Sequence, residues 1–122
     1  MLDAYNNYAE ATGAVFDNST GFLRITQAQY KDLKPLFFEI GGGSYELNAN
    51  AQIWPRALNT LFGGDKDAIY LVVTSIGDKP YEKNELGFAL GILFLQRYYS
   101  VYDTTNSQVG LATTPFTFAD TN

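Results

Sequence analysis

Thirteen carboxylates, with no histidine and no cysteine beside them, set the chemistry that this chain can attempt. A Ser–His or Cys–His relay needs an imidazole that titrates near neutrality, and most structural zinc sites need thiolates, so both classes are excluded. What remains is proton transfer by Asp, Glu, Lys or Tyr, most powerfully by two carboxylates close enough to share one proton. Three stretches gather acids. In "GGDKDA", Asp65 and Asp67 offer two carboxylates where a calcium loop needs six to eight oxygens, so the stretch reads as a solvated turn and no metal is expected. In "IGDKPYEKNELG", Asp78, Glu82 and Glu85 alternate with Lys79 and Lys83, a pattern of exposed charge. In "VYDTTNSQVGLA", Asp103 precedes Thr104 and Thr105, and its type and neighbours leave open a catalytic or a structural role.

The elements that must position these groups are legible from punctuation and period. Leu2, Tyr5, Tyr8 and Ala9 recur at spacings of three and four, with Gly13 as a stop, which predicts an amphipathic helix. Two apolar runs flank Asp17-Asn18-Ser19-Thr20-Gly21 and predict a hairpin. Thr26 can cap a short helix that ends before Pro35, because that ring removes a donor and restricts Lys34. "LFFEI" and "SYEL" around Gly41-Gly42-Gly43 predict a second hairpin. "AIYLVVTS" is nearly continuous apolar sequence and reads as a strand buried on both faces at the centre of a sheet. The segment between, "NANAQIWPRALNTLFGGDKD", is irregular or shortly helical, and "IGDKPYEKNELG", residues 76 to 87, is the best loop candidate. Phe88, Leu90, Ile92 and Phe94 in "FALGILFL" read as core, after which "TTNS" turns the chain between "RYYSVYD" and "QVGLA".

Length and composition bound the whole. A chain of 122 residues with 46% hydrophobic and 17% charged residues can bury one core, so a single domain over residues 1–122 is expected. A net charge of −5 leaves no basic cluster for phosphates, which argues against nucleic acid or an anionic membrane as partner. No apolar run approaches the roughly 18 residues of a membrane helix. No signal peptide is visible at the Met1 end. Asn18-Ser19-Thr20 is an N-glycosylation acceptor pattern on a predicted hairpin tip.

The order of these segments carries a resemblance. "TGFLRIT", "LFFEIGGGSYELNANAQIWPRALNT", "AIYLVV" and "FLQRYYSVYDTTNSQVGLATT" resemble the successive hairpins in the last part of the C-terminal lobe of pepsin-like aspartic proteases, closest to those of wood-rotting basidiomycete fungi. The resemblance covers nearly the whole chain. It implies a mainly β fold with short helices, a partial pepsin-like lobe whose hairpins form a half-barrel or sandwich, and a secreted protein. It also places Asp103 at a hairpin position, where its carboxylate would accept hydrogen bonds from turn amides such as those of Thr105 or Asn106, so that Asp103 and Asn106 are structural.

The family's catalytic aspartates stand in Asp-Thr/Ser-Gly loops, one per lobe. Asp3, Asp17, Asp32, Asp65, Asp67, Asp78, Asp103 and Asp120 all lack the glycine two positions on, so no catalytic residue is expected within these 122 residues, and no cofactor. The chain would begin just after the C-lobe copy of that loop. The resemblance also implies that Asp78, Phe88 and Ala89 descend from the wall of a substrate cleft, although Phe-Ala-Leu-Gly-Ile stands at 88–92 where the family commonly has Trp-Ile-Leu-Gly-Asp. Three functions are compatible: a non-catalytic protease-like binding or effector protein, one chain of a two-piece endopeptidase whose other chain carries both catalytic loops, and a carbohydrate or cell-surface binding module. Apolar surface left open by the missing part of the lobe predicts a homo-oligomer, most simply a two-fold dimer.

Overall fold

The structure, a computed structural model, describes residues 2–76 and 88–121. It is mainly β with short helices. Helix α1 (Leu2–Thr12) leads into strands β1 (Val15–Asp17) and β2 (Phe22–Ile25), followed by helix α2 (Gln27–Asp32). Strands β3 (Leu36–Ile40) and β4 (Gly43–Leu47) come next, then two 3-10 helices (Asn50–Gln52 and Arg56–Phe62) and strand β5 (Ile69–Leu71). A single turn of helix, α3 (Ile92–Leu95), precedes strands β6 (Tyr98–Asp103) and β7 (Gln108–Thr113). The described strands form three separate antiparallel sheets, ordered β1-β2-β5, β3-β4 and β6-β7.

Local chemistry explains most boundaries. Thr26 closes a reciprocal cap on α2: its hydroxyl accepts from the Gln29 amide at 3.2 Å, and its own amide donates to Gln29 Oε1 at 2.7 Å. The β3–β4 connection is a two-residue turn at Gly41 and Gly42, with φ of 57° and 82°. Both are left-handed, which only glycine adopts without cost and which matches the twist of the strands it joins.

Two expectations are corrected. Strand β5 spans only residues 69–71 and lies at the end of its sheet's strand order, with β2 in the middle. Its three residues are buried all the same, because an irregular segment covers its outer edge. The Trp54 amide donates to the Tyr70 carbonyl at 2.8 Å, the Val72 amide donates to the Gln52 carbonyl at 2.9 Å, and Ile53 bridges to Leu71. The apolar stretch from residue 88 is likewise not all core. Amides of Phe94 and Leu95 both donate to the Gly91 carbonyl at 3.0 Å, so the chain coils there. Coiling turns Phe94 inward and leaves Ile92 77% exposed and Phe88 47% exposed.

Two apolar clusters result. Leu23, Ile25, Ile53, Ile69 and Leu71 form the first, packed by Tyr5, Tyr8 and Ala9 of α1. Leu47, Ala51, Phe94 and Tyr98 form the second, where Phe94 stacks on Tyr98 with ring centres 4.9 Å apart. Gln52 stands between them, fully buried. Its amide nitrogen donates to the carbonyls of Lys34 (2.8 Å) and Leu47 (3.0 Å), while its side-chain oxygen accepts from the Tyr8 hydroxyl at 2.9 Å. Burial pushes the Tyr8 hydroxyl pKa up, which keeps it a neutral donor. Every polar atom of that buried amide is thereby engaged, as burial demands.

Candidate functional site

Strand β6 is anchored at one end and free at the other. Tyr98 is buried, and its hydroxyl donates to the Glu46 carbonyl at 2.5 Å. Burial raises the pKa of that hydroxyl. Next to it, the Arg97 guanidinium is 4% exposed and donates to the carbonyls of Phe116 (3.2 Å) and Ala119 (2.6 Å) and to Asn50 Oδ1 (2.9 Å). The same desolvation lowers the Arg97 pKa. The Arg97 carbonyl in turn accepts from the Thr117 hydroxyl at 2.6 Å, so the last segment of the chain is tied to the base of the hairpin.

Beyond that base the hairpin presents apolar side chains on both faces. Pairing of Tyr99 with Ala112 and of Val101 with Gly110 sets one face, and pairing of Tyr102 with Val109 sets the other. Tyr99 is 66% exposed, Tyr102 64% and Val109 63%. Tyr98 and Leu111 pack into the second cluster at the base, so the unsatisfied apolar surface is the Tyr99–Val101 face and the outer Tyr102–Val109 pair.

Asp103 closes the free end. Its Oδ1 accepts from the amides of Thr105 and Asn106, each at 3.0 Å, and its Oδ2 accepts from the side chains of Asn106 (2.6 Å) and Gln108 (3.3 Å). These bonds, the Asn106 side chain first, hold the carboxyl below its ordinary pKa. The backbone completes the turn through Ser107 at φ 52°, a left-handed conformation uncommon outside glycine.

Asp17 does the same for the β1–β2 turn, a role that the sequence reading did not assign. Its Oδ1 accepts from the Ser19 amide (2.9 Å) and hydroxyl (2.6 Å), and its Oδ2 accepts from the Tyr70 hydroxyl at 3.2 Å. The bond from the Ser19 side chain leads in lowering its pKa. The adjacent hydroxyls at 19 and 20 were the available signal for the local bonds; Tyr70, 53 residues away, gave none.

No carboxylate pair emerges among the described residues. Asp65 faces Arg24 at 3.3 Å, both half exposed, and accepts from the Asp67 amide at 3.0 Å. No group of three metal-ligating side chains occurs among the described residues. A shared-proton dyad would drive one pKa up, whereas both shifted aspartates, Asp17 and Asp103, move down.

Phe88 leans toward Phe38, ring centres 6.4 Å apart, and Ala89 is exposed, while Asp78, like Glu82 and Glu85, lies outside the described residues. Asn18 is exposed on its turn. A shallow depression of about 470 Å³, unforeseen from the sequence, lies between α1 and the first sheet and is floored by Tyr5, Ala9, Phe16 and Leu23.

Residues 2–114 match the eukaryotic aspartyl protease family. The chain belongs to that family. It is 57% identical over 120 residues to polyporopepsin of Irpex lacteus, a match that takes in 98% of this chain and 35% of polyporopepsin. Pepsin A of Sus scrofa is 31% identical over 96 residues, covering 79% of this chain and 22% of pepsin A. The crystal structure of an aspartic proteinase from Irpex lacteus superposes with a TM-score of 0.86 at 55% identity, over 98% of this chain and 35% of that one. The chain thus spans about a third of the length of the polyporopepsin it matches.

Proposed function

We propose that this segment of an aspartic-protease lobe contains no proteolytic centre of its own and acts by binding. One observation carries the reading: each of the eight aspartates lacks the glycine that an Asp-Thr/Ser-Gly loop requires two positions on. Two of them are also committed to turns, Asp17 and Asp103, where hydrogen bonds hold the carboxylate ionised. Peptide hydrolysis by a shared-proton pair needs the opposite environment.

The binding surface in this reading is the β6–β7 hairpin. Tyr99, Tyr102 and Val109 are rigid apolar groups with little rotamer entropy to lose, the kind of side chain that dominates protein contacts. A secreted protein is the natural setting, given the relatives. A second reading is favoured by the match itself: the chain aligns along 98% of its length with a proteinase that is about three times longer, so a complementing chain carrying both catalytic loops would find a surface of the right shape.

The test has two arms. The purified chain is assayed for binding of a hydrophobic dye, with Tyr99→Asp and Tyr102→Asp alongside. It is then mixed with a polypeptide comprising the region of polyporopepsin outside the match. Dye binding lost in both variants supports the binding surface, and no dye binding by the parent chain contradicts it. Hydrolysis appearing only in the mixture selects the two-chain reading.

A further inference from the structure

We infer that Asn18 is an N-glycosylation site whose glycan guards the open edge of the first sheet. The chain has nine asparagines, and only Asn18 is followed two positions later by a serine or threonine, with no proline between or after. Three other asparagines are engaged: Asn59 is fully buried with its amide on the carbonyls of Asp65 and Ala68, Asn50 accepts from Arg97, and Asn106 donates to Asp103. Asn18 is exposed, at the tip of the turn between β1 and β2.

The turn presents it in an accessible way. Asp17 holds the Ser19 amide and hydroxyl, and its carbonyl accepts from the Gly21 amide at 2.8 Å, so the turn is closed by the residues flanking Asn18, which itself stays exposed. Thr20, half-buried, supplies the hydroxyl that the acceptor pattern needs. In the transfer, Asn18 Nδ2 bonds to the anomeric carbon of an oligosaccharide carried on a polyprenyl diphosphate. The bond from that carbon to the diphosphate oxygen breaks, the diphosphate leaves with the electron pair, and the amide nitrogen gives up one proton to a base of the transferase.

The position suggests what the sugar does. Among the described residues β1 pairs only with β2 and its other edge has no strand beside it, and Val15 (71% exposed) and Phe16 (50% exposed) belong to it. Such an edge is a template for another strand. A bulky, hydrated group one residue beyond the end of β1 obstructs that pairing, and leaves β6–β7, at the other end of the sequence, free to bind.

This inference rests on secretion, as the reading above does, but not on the binding role. The full chain is therefore routed through the secretory pathway of a yeast by a cleavable leader, and its intact mass is compared with the 13.5 kDa of the polypeptide before and after an N-glycan-removing endoglycosidase. The expected result is an excess mass that the endoglycosidase removes. Asn18→Gln and Thr20→Ala abolish it, whereas Ser19→Ala and Thr20→Ser keep it. Secreted chain at the polypeptide mass overturns the site. For the guarding role, the glycosylated chain and Asn18→Gln are compared for thioflavin-positive aggregation on gentle warming. Faster aggregation of Asn18→Gln supports it, and equal rates overturn it.

Discussion

At the scale of single residues, Asp17 and Asp103 solve one problem twice. Each carboxylate collects donors from a turn whose amides no strand can satisfy, and each is favoured in its charged form by doing so. The sign of the pH dependence follows. Folded-state pKa values lie below the ordinary 3.8, so the stabilisation is complete above that value and is lost as pH falls through the folded pKa. Asp103→Ala is expected to lower the Tm at pH 6, to lower it much less at pH 2, and to leave binding unchanged; thermal melts at the two pH values check this. Asp103 was legible because its donors lie within five residues, and Asp17 was half legible for the same reason. Its third partner, Tyr70, is supplied by the tertiary fold, which no local pattern announces.

At the scale of elements, Gln52 decides how the two apolar clusters meet. It joins α1, the approach to β3 and the end of β4 through one buried amide. Gln52→Ala strands two carbonyls and the Tyr8 hydroxyl without partners, and roughly 2–4 kcal/mol of stability should go with them. Chemical denaturation measures it, and Tyr8→Phe in the same assay should cost less, about 1 kcal/mol, since it removes a single bond. The hairpins, α1 and α2 were readable from turn residues and period. Strand β5 was read too long and too central, because burial by an irregular segment leaves the same apolar run in the sequence as burial by neighbouring strands. Alternation from Phe88 to Phe94 misled in a related way, since one helical turn after Gly91 overrides a period of two.

At the scale of the whole molecule, family membership and open surface pull the account together. In a protein that matches a third of polyporopepsin, β6–β7 packs into the second cluster through Tyr98 and Leu111 and leaves Tyr99, Val101, Tyr102 and Val109 exposed. That surface favours self-association, and a two-fold dimer burying more than about 1,200 Å² in total is the expected form. Sedimentation at micromolar concentration should give a dimer that Tyr102→Glu converts to a monomer, and a compact monomer for the parent chain would rule the interface out. No helix among the described residues is long and apolar enough to cross a membrane. The central claim, that these 122 residues bind without cleaving, is tested most directly by hydrolysis of an acid-denatured protein by the purified chain between about pH 2 and 8, the range over which a carboxylate pair could work. No turnover above the blank is expected at any pH, and turnover blocked by a transition-state inhibitor of aspartic proteases would overturn the binding role.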